Sequence, residues 1–382
     1  MRIIYIVHGT YNSAGMERIL SIKANYLVEK FGHEVTIITT DQRKRESYYK
    51  MSDKVISYDL SINFDFYYEY PMLKRIFSFY YKQMKCRYRL TNLLFELEAD
   101  VVVSLMSRNI SYLHKIKDGS RKVFELHFSR NAREQMLEGT NAGLFKKIAY
   151  RFRALTELKH IKKMDSFVVL TNEDSLLWGH LPNLSVIPNA TSFFPDAQAK
   201  LVNKIVVSVG RIEPQKGYDQ LVDIWKPVDE KHPDWKLIIF GDGKDLEALK
   251  AQISQADLQE KILLKPPTSS IDVELLNSSI YLMTSRYEGF PMVLIEAMAC
   301  GLPVISFRCP CGPSDIINDK NDGFIIDIGD KVSMAMHLNK LIENDDLRKN
   351  MGHKARENIK RFSQDQVMDI WNSLFNQLML KK

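Results

Sequence analysis

Five short apolar runs mark the first half of the chain: RIIYIVH, EVTIIT, DVVVSLM, KVFELHF and SFVVLT. They are rich in Val, Ile and Phe and show little alternation of apolar and polar residues. Such runs read as strands buried on both faces, which is the habit of parallel sheets. Helical patterns lie between them, for example GMERILSIKANYLVEKFG with Gly32 as a stop. Six more runs follow in the second half, KIVVSVG, WKLIIFG, KILL, IYLMTS, LPVISF and GFIID, again alternating with helices. A strand–helix alternation met twice predicts α/β architecture with two doubly wound, Rossmann-like parallel sheets facing across a cleft. The length of 382 residues suits two cores rather than one. The stretch LSVIPNATSFFPDAQAK (184–200) separates the two series, so the domains are expected at 1–190 and 191–363, with a further helix over 364–382.

Residues 285–305, SRYEGFPMVLIEAMACGLPVI, pose a question inside this frame. Pro291 suits a helix start, and Gly301 followed by Pro303 suits its end, so the spacing predicts a helix over about 291–300. Apolar residues surround that helix, which marks it as buried. Yet Glu288 lies on the loop before it and Glu296 inside it. Between the two acids lie the free amides of the helix N-terminus, a ready anion site. The order acceptor, anion site, acceptor matches hexose hydroxyls, diphosphate and ribose hydroxyls. The alternative is a buried Glu296 satisfied by a nearby cation or backbone, because an unpartnered buried carboxylate costs several kcal/mol.

Other candidates sit at the carboxyl ends of strands, where ligands of such sheets bind. The strand KIVVSVG runs into GRIEPQKGYDQL, which places Arg211 and Lys216 five apart across a turn. An Arg fork and a compact Lys charge suit the oxygens of a departing diphosphate. Two solvated surface cations are the alternative. Glu125 and His127 end the strand KVFELHF, where a histidine can donate to a sugar hydroxyl or help move a proton; a core histidine bonded to backbone is the other reading. The first strand leads into HGTYNSAGMERI, in which Gly9 and Gly15 allow close approach of a ligand to backbone. The spacing is neither G-x-G-x-x-G nor G-x-x-x-x-G-K-[ST], which disfavours a dehydrogenase or a P-loop enzyme. No D-x-D occurs, so a metal anchored by two nearby aspartates is unsupported and protein cations must do that work.

Charge is uneven along the chain. Residues 1–190 hold 29 Lys and Arg against 20 Asp and Glu, a net of +9; the remainder holds 24 against 27, a net of −3, which sums to the overall +6. A basic first half suits an anionic acceptor or an anionic membrane surface. Two stretches, 70–90 and 144–163, are basic and aromatic. For the second, an amphipathic helix on the core is favoured; for the first, a lipid-interface role weighs equally, since its Phe and Tyr exceed what one core face needs. No run of eighteen apolar residues occurs and MRIIYIVHGTYNSAG reads as a strand and turn, not a leader. The four cysteines, Cys86, Cys300, Cys309 and Cys311, lack metal spacing, and a reducing cytoplasm fits them best.

Taken together, EGFPMVLIEAMACGLPVI, GRIEPQKG and the turn after the first strand resemble the retaining glycosyltransferases of family 4, whose GT-B fold pairs two Rossmann-like domains. The resemblance runs over nearly the whole chain. It implies that Glu288 contacts the donor sugar, that Glu296 takes the ribose hydroxyls, and that Arg211 and Lys216 hold the diphosphate. It further implies donor contacts from Gly15, Gly289, Phe290, Met292 and Val293, and aligns His127 with a histidine near the sugar. The family often has Gly-Gly after the first strand; here Ala14–Gly15 keeps one amide and loses some freedom. GDG at 241–243 and GPSDII at 312–317 resemble segments that shape the nucleotide side of the cleft, and the last helix resembles one that braces the first domain.

The expected enzyme is thus a retaining hexosyltransferase. It uses a nucleotide diphosphate sugar, with uridine as the base, and needs no metal or other cofactor. The acceptor is a hydroxyl of a glycan or lipid-linked glycan in polysaccharide biosynthesis. The expected location is cytoplasmic, peripheral on the inner face of the membrane, and no nucleic acid is expected as a partner. The rival readings are a nucleotide-sugar epimerase and a non-catalytic scaffold for a nucleotide sugar or glycan.

Overall fold

A computed structural model of the chain describes residues 1–64, 71–131 and 154–380. The first domain runs β1 (Arg2–Val7), α1 (Gly15–Glu29), β2 (Glu34–Thr39), β3 (Ile56–Asp59), α2 (Met72–Leu97), β4 (Val101–Ser104), α3 (Ile110–Leu113), β5 (Arg121–Glu125), β6 (Ser166–Val169), α4 (Asn172–Trp178) and β7 (Leu184–Val186). The second runs β8 (Ile205–Val209), α5 (Leu221–Lys231), β9 (Lys236–Phe240), α6 (Leu246–Gln255), β10 (Ile262–Lys265), α7 (Ile271–Leu276), β11 (Ile280–Met283), α8 (Met292–Ala299), β12 (Val304–Phe307), α9 (Pro313–Ile316), β13 (Gly323–Ile326), α10 (Lys331–Glu343) and α11 (Asp345–Ile359).

Each domain is built on one parallel sheet. The seven-stranded sheet has the order β3-β2-β1-β4-β5-β6-β7 and the six-stranded sheet β10-β9-β8-β11-β12-β13. In register, Ile3 of β1 lies between Val35 of β2 and Val101 of β4. All eleven apolar runs are strands. The first sheet gains two more, β3 and β7, at its edges. These edges are short and only partly covered, with no apolar run to announce them.

The order reverses between β1 and β4 in one sheet and between β8 and β11 in the other. Crevices at such switch points lie beyond the carboxyl ends of the strands. The loops 8–14 and 210–217 start there.

Helix α12 (Gln364–Leu380) follows the last turn of the second domain. Its Val367, Met368, Trp371, Phe375 and Leu378 are buried among β1, α1 and neighbouring strands of the first domain. Polar contacts fix it further: Tyr26 Oη donates to Asp365 at 2.5 Å, and the ring of His33 lies 3.0 Å from Asn372 Oδ1. The two chain crossings between domains run side by side, with Thr191 N donating to Phe362 O at 2.8 Å.

Candidate active site

Helix α8 is set by its ends. Pro291 is its N-cap rather than a residue of its first turn, and Leu294 N is the first amide bonded back, to Pro291 O at 3.0 Å. The amides of the half-buried Met292 and Val293 precede any intrahelical acceptor, as helix geometry requires. At the other end, Gly301 (φ 82°) donates to Met298 O and Leu302 donates to Ala297 O. That is the paired bonding of a Schellman motif, which the left-handed glycine permits.

Lys216 reaches this helix from β8. The turn Pro214–Lys216 carries the lysine back over Gly210, whose missing side chain leaves room for the lysine stem. Gly217 (φ 67°) then lies so close to Thr284 that a Cβ there would be 2.2 Å from the Thr284 carbonyl oxygen. Lys216 Nζ thereby sits 2.7 Å from Glu288 Oε1, which also accepts from Ser285 Oγ at 2.6 Å. Arg211 does not join them. It leaves β8 before the turn, its guanidinium is exposed, and it pairs with Glu213 Oε2 at 3.3 Å. The Glu213 carboxylate two residues on holds it in this exposed position.

The first domain closes the other side. A Cβ built on Gly289 would lie 2.3 Å from the His127 carbonyl oxygen, so the two domains touch backbone to backbone at this point. Gly15, at the start of α1, faces Met292, the start of α8, across the cleft. The Phe290 side chain is buried, its ring 5.6 Å from that of Phe362, so it offers the loop its backbone and not its ring. Glu296 is fully buried and its Oε1 accepts from Arg18 Nη1 of α1 at 2.7 Å and from Ser192 Oγ. Glu296 Oε2 is buried with no hydrogen-bond partner.

Residues 191–358, nearly the whole second domain, match the family model described as glycosyl transferases group 1. An uncharacterized glycosyltransferase of Haemophilus influenzae is 27% identical over 379 residues, covering 98% of this chain and 99% of the relative. The chain is a glycosyltransferase with the GT-B fold. The amylovoran biosynthesis glycosyltransferase AmsD of Erwinia amylovora is 36% identical over 223 residues, covering 56% of this chain and 62% of AmsD. The crystal structure of a variant of S. aureus TarM, solved with UDP among its ligands, superposes with a TM-score of 0.77 at 18% identity, covering 98% of the enzyme and 99% of TarM. That likeness is one of fold.

At the end of β5 the structure adds a residue that no motif marked, Lys23, to Glu125 and His127. His127 Nε2 lies 3.0 Å from Glu125 Oε1, and Lys23 of α1 pairs with the same carboxylate oxygen. Burial alone would push the Glu125 carboxyl up, but Lys23 and His127 hold it at about 2. Lys23 in turn lies 4.1 Å above the Trp371 ring of α12, so a cation–π contact ties the last helix to the carboxylate beside His127.

The segment GPSDII bonds to the first domain. Asp315 accepts from Asn172 N at 3.3 Å and Glu173 N at 3.0 Å, so the second domain caps helix α4 of the first. Glu173 answers by accepting from Cys311 N at 2.8 Å. The physical reason is the capping need of α4, whose first amides would otherwise lack partners. Burial, with Asp315 nearby, pushes the Glu173 carboxyl up. In sequence Arg18, Ser192, Lys23 and Asp315 look like ordinary polar residues; only their partners 102 to 278 positions away give them roles. Among the described residues, no three His, Cys, Asp or Glu side chains converge as a metal site.

Proposed function

We propose that this enzyme moves a hexose from a nucleotide diphosphate sugar, UDP-linked, to a hydroxyl of a glycan or lipid-linked glycan acceptor, with retention and without a metal. The observation that carries the reading is the convergence at α8. Its free amides are flanked by the Lys216–Glu288 pair at one end and by Glu296 within, and they face Gly15 and His127 of the first domain.

In this reading the diphosphate lies on the α8 amides, with Lys216 on its oxygens, and Arg211 swings in from the rim when that anion arrives. Glu288, given up by Lys216, turns to the sugar hydroxyls. Glu296 takes the ribose hydroxyls, its Oε1 as well as its unpartnered Oε2. The anomeric carbon–phosphate oxygen bond breaks as the bond to the acceptor oxygen forms on the same face, and the acceptor proton passes to the departing phosphate. Lys216 and the helix amides stabilise the charge that grows on that phosphate. The ribose, diphosphate and sugar then follow the order Glu296, α8 amides, Glu288.

The acceptor side supports an amphiphilic substrate. Helix α2 buries Cys86, Leu90 and Leu94 and turns Phe77, Tyr80, Tyr81, Met84 and Tyr88 to solvent, with Phe77 76% and Tyr88 69% exposed. Lys74 and Arg87 lie among them on the surface. An exposed aromatic stripe with cations suits an anionic membrane face, so we place the enzyme peripherally on the cytoplasmic side. No described helix is long and apolar enough to cross a membrane. The stretch 144–153 lies outside the described residues. The name of AmsD supports polysaccharide biosynthesis as the setting, and UDP in the TarM crystal supports uridine as the base.

A thermal-shift screen of nucleotide diphosphates and their sugars tests the donor, because a ligand of the folded state raises its melting temperature with occupancy. A UDP-sugar should give the largest shift, and transfer should persist in a chelator. Product NMR then reads the anomeric configuration. A set of ligands with no shift, or an inverted product, would overturn the reading.

A further inference from the structure

Arg18 stands where the proposed ribose site meets the other domain. It lies in the first turn of α1, and its Nη1 sits 2.7 Å from Glu296 Oε1 across 278 positions of chain. Ser192, in the crossing between domains, donates to the same oxygen and lies 3.5 Å from Arg18 Nη1. The arginine is itself braced: its Nε donates to Tyr49 Oη at 3.3 Å, and Tyr49 Oη donates to Ser13 O at 2.9 Å. One carboxylate thus joins the first domain, the crossing segment and α8. Glu296 is fully buried and its second oxygen has no partner.

A carboxylate kept for a ligand is a problem when the ligand is absent, since a buried ion without a counter-charge costs several kcal/mol. A pocket that opened whenever it emptied would expose Glu296 to water and solve the problem that way. Here the solution is the opposite: the domains are in contact and the Arg18 guanidinium supplies the counter-charge from the other domain. Arginine suits it, because the guanidinium stays charged and its fork is rigid.

We propose that Arg18 is a placeholder that holds the cleft closed on Glu296 until donor ribose hydroxyls take the carboxylate over, so that Arg18 sets donor affinity by the population of the open form. This rests on the assignment of Glu296 to ribose. Donor affinity is reduced by the fraction of molecules in the binding-competent form. Removing the latch raises that fraction. Removing the carboxylate raises it too, but deletes the acceptor that the ribose needs. The two changes therefore have the same effect on shape and opposite effects on binding.

The experiment compares wild type, Arg18→Ala, Arg18→Lys and Glu296→Gln by small-angle X-ray scattering without nucleotide and by calorimetric titration with UDP. Circular dichroism confirms the fold of each. Arg18→Ala and Glu296→Gln should both enlarge the radius of gyration. Arg18→Ala should bind UDP about three- to tenfold more tightly, and Glu296→Gln about tenfold or more weakly. Arg18→Lys, which keeps the charge on a shorter and less directed group, should fall between wild type and alanine, and it replaces the alanine variant if that one does not fold. An unchanged scattering profile in the Arg18 variants, or UDP binding no tighter than wild type, overturns the proposal. If the wild type binds no nucleotide diphosphate, the donor assignment fails, and the scattering comparison by itself then decides whether Arg18 is a latch.

Discussion

Lys216 Nζ lies 2.7 Å from Glu288 Oε1, although 72 positions separate them. Each is a candidate for a different part of the donor, and the two neutralise one another. Paired in this way, the two charges are tolerated in a largely buried loop. In the proposed reaction, replacing Lys216 by Ala removes a charge-assisted contact to the leaving diphosphate. Turnover should fall by about 10²–10³-fold, equivalent to ~2.7–4 kcal/mol, by analogy with the loss of one oxyanion donor. Steady-state transfer assays check it, and unchanged turnover would remove Lys216 from the chemistry.

Gly289 is where the domains meet most tightly. A Cβ there would be 2.3 Å from the His127 carbonyl oxygen and 3.2 Å from the Phe128 Cα, both backbone atoms that cannot swing aside. Gly289→Ala should hold the cleft ajar and misplace His127 relative to α8. A displacement of about 1 Å in such a site costs on the order of 10²-fold in rate. Each domain keeps its own core, so the melting temperature should change little. Full activity in the alanine variant would show that the touching arrangement is not the reactive one.

The buried pair of Lys23 and Glu125 makes stability depend on acid. The Glu125 carboxyl is lowered from 4.5 to about 2 in the folded chain. A depressed carboxylate contributes stability above its unfolded value and loses it as the pH falls through the folded value. The shift is worth roughly 3 kcal/mol for this fully buried group. Glu125→Gln also leaves Lys23 without its counter-charge. Urea unfolding should therefore find the variant less stable at neutral pH, with a gap to wild type that is widest above pH 4.5 and closes toward pH 2. A gap independent of pH would mean that Glu125 is not ionised in the fold.

Helix α2 offers a test that leaves the cleft untouched. Replacing Phe77 and Tyr88, both exposed, by Ser should not disturb the buried Cys86, Leu90 and Leu94. The wild type should sediment with vesicles containing phosphatidylserine at low salt and be released at high salt, since each basic residue at such a surface is worth about 1 kcal/mol. The double variant should sediment several-fold less, because its apolar anchorage is lost. Equal sedimentation of the two, or none by the wild type, would argue against this face as the membrane contact.

The fold was legible because parallel strands buried on both faces must be apolar along their whole length. That requirement writes eleven runs into the chain, and each became a strand. The two strands that escaped notice, Ile56–Asp59 and Leu184–Val186, lie at sheet edges where one face or both remain partly open. Nothing forces an apolar signature there. The end of α8 was equally legible, since Gly301 must adopt a left-handed conformation to complete the cap.

The site was legible as a set of residue types and much less as a set of partners. Glu288, Glu296, Lys216 and Arg211 stand out because acids in an apolar helix and cations at a strand end are costly without a purpose. Their pairings are another matter. That Arg18 meets Glu296, that Lys23 meets Glu125 under Trp371, and that Asp315 caps α4 depend on how two sheets and a last helix pack. By itself, then, the sequence determined the two sheets, their switch points and the chemistry gathered at their ends. Tertiary structure decided which charge faces which, because hydrophobic patterning is a local property of the chain whereas an ion pair exists only once distant segments lie within a few ångströms of each other.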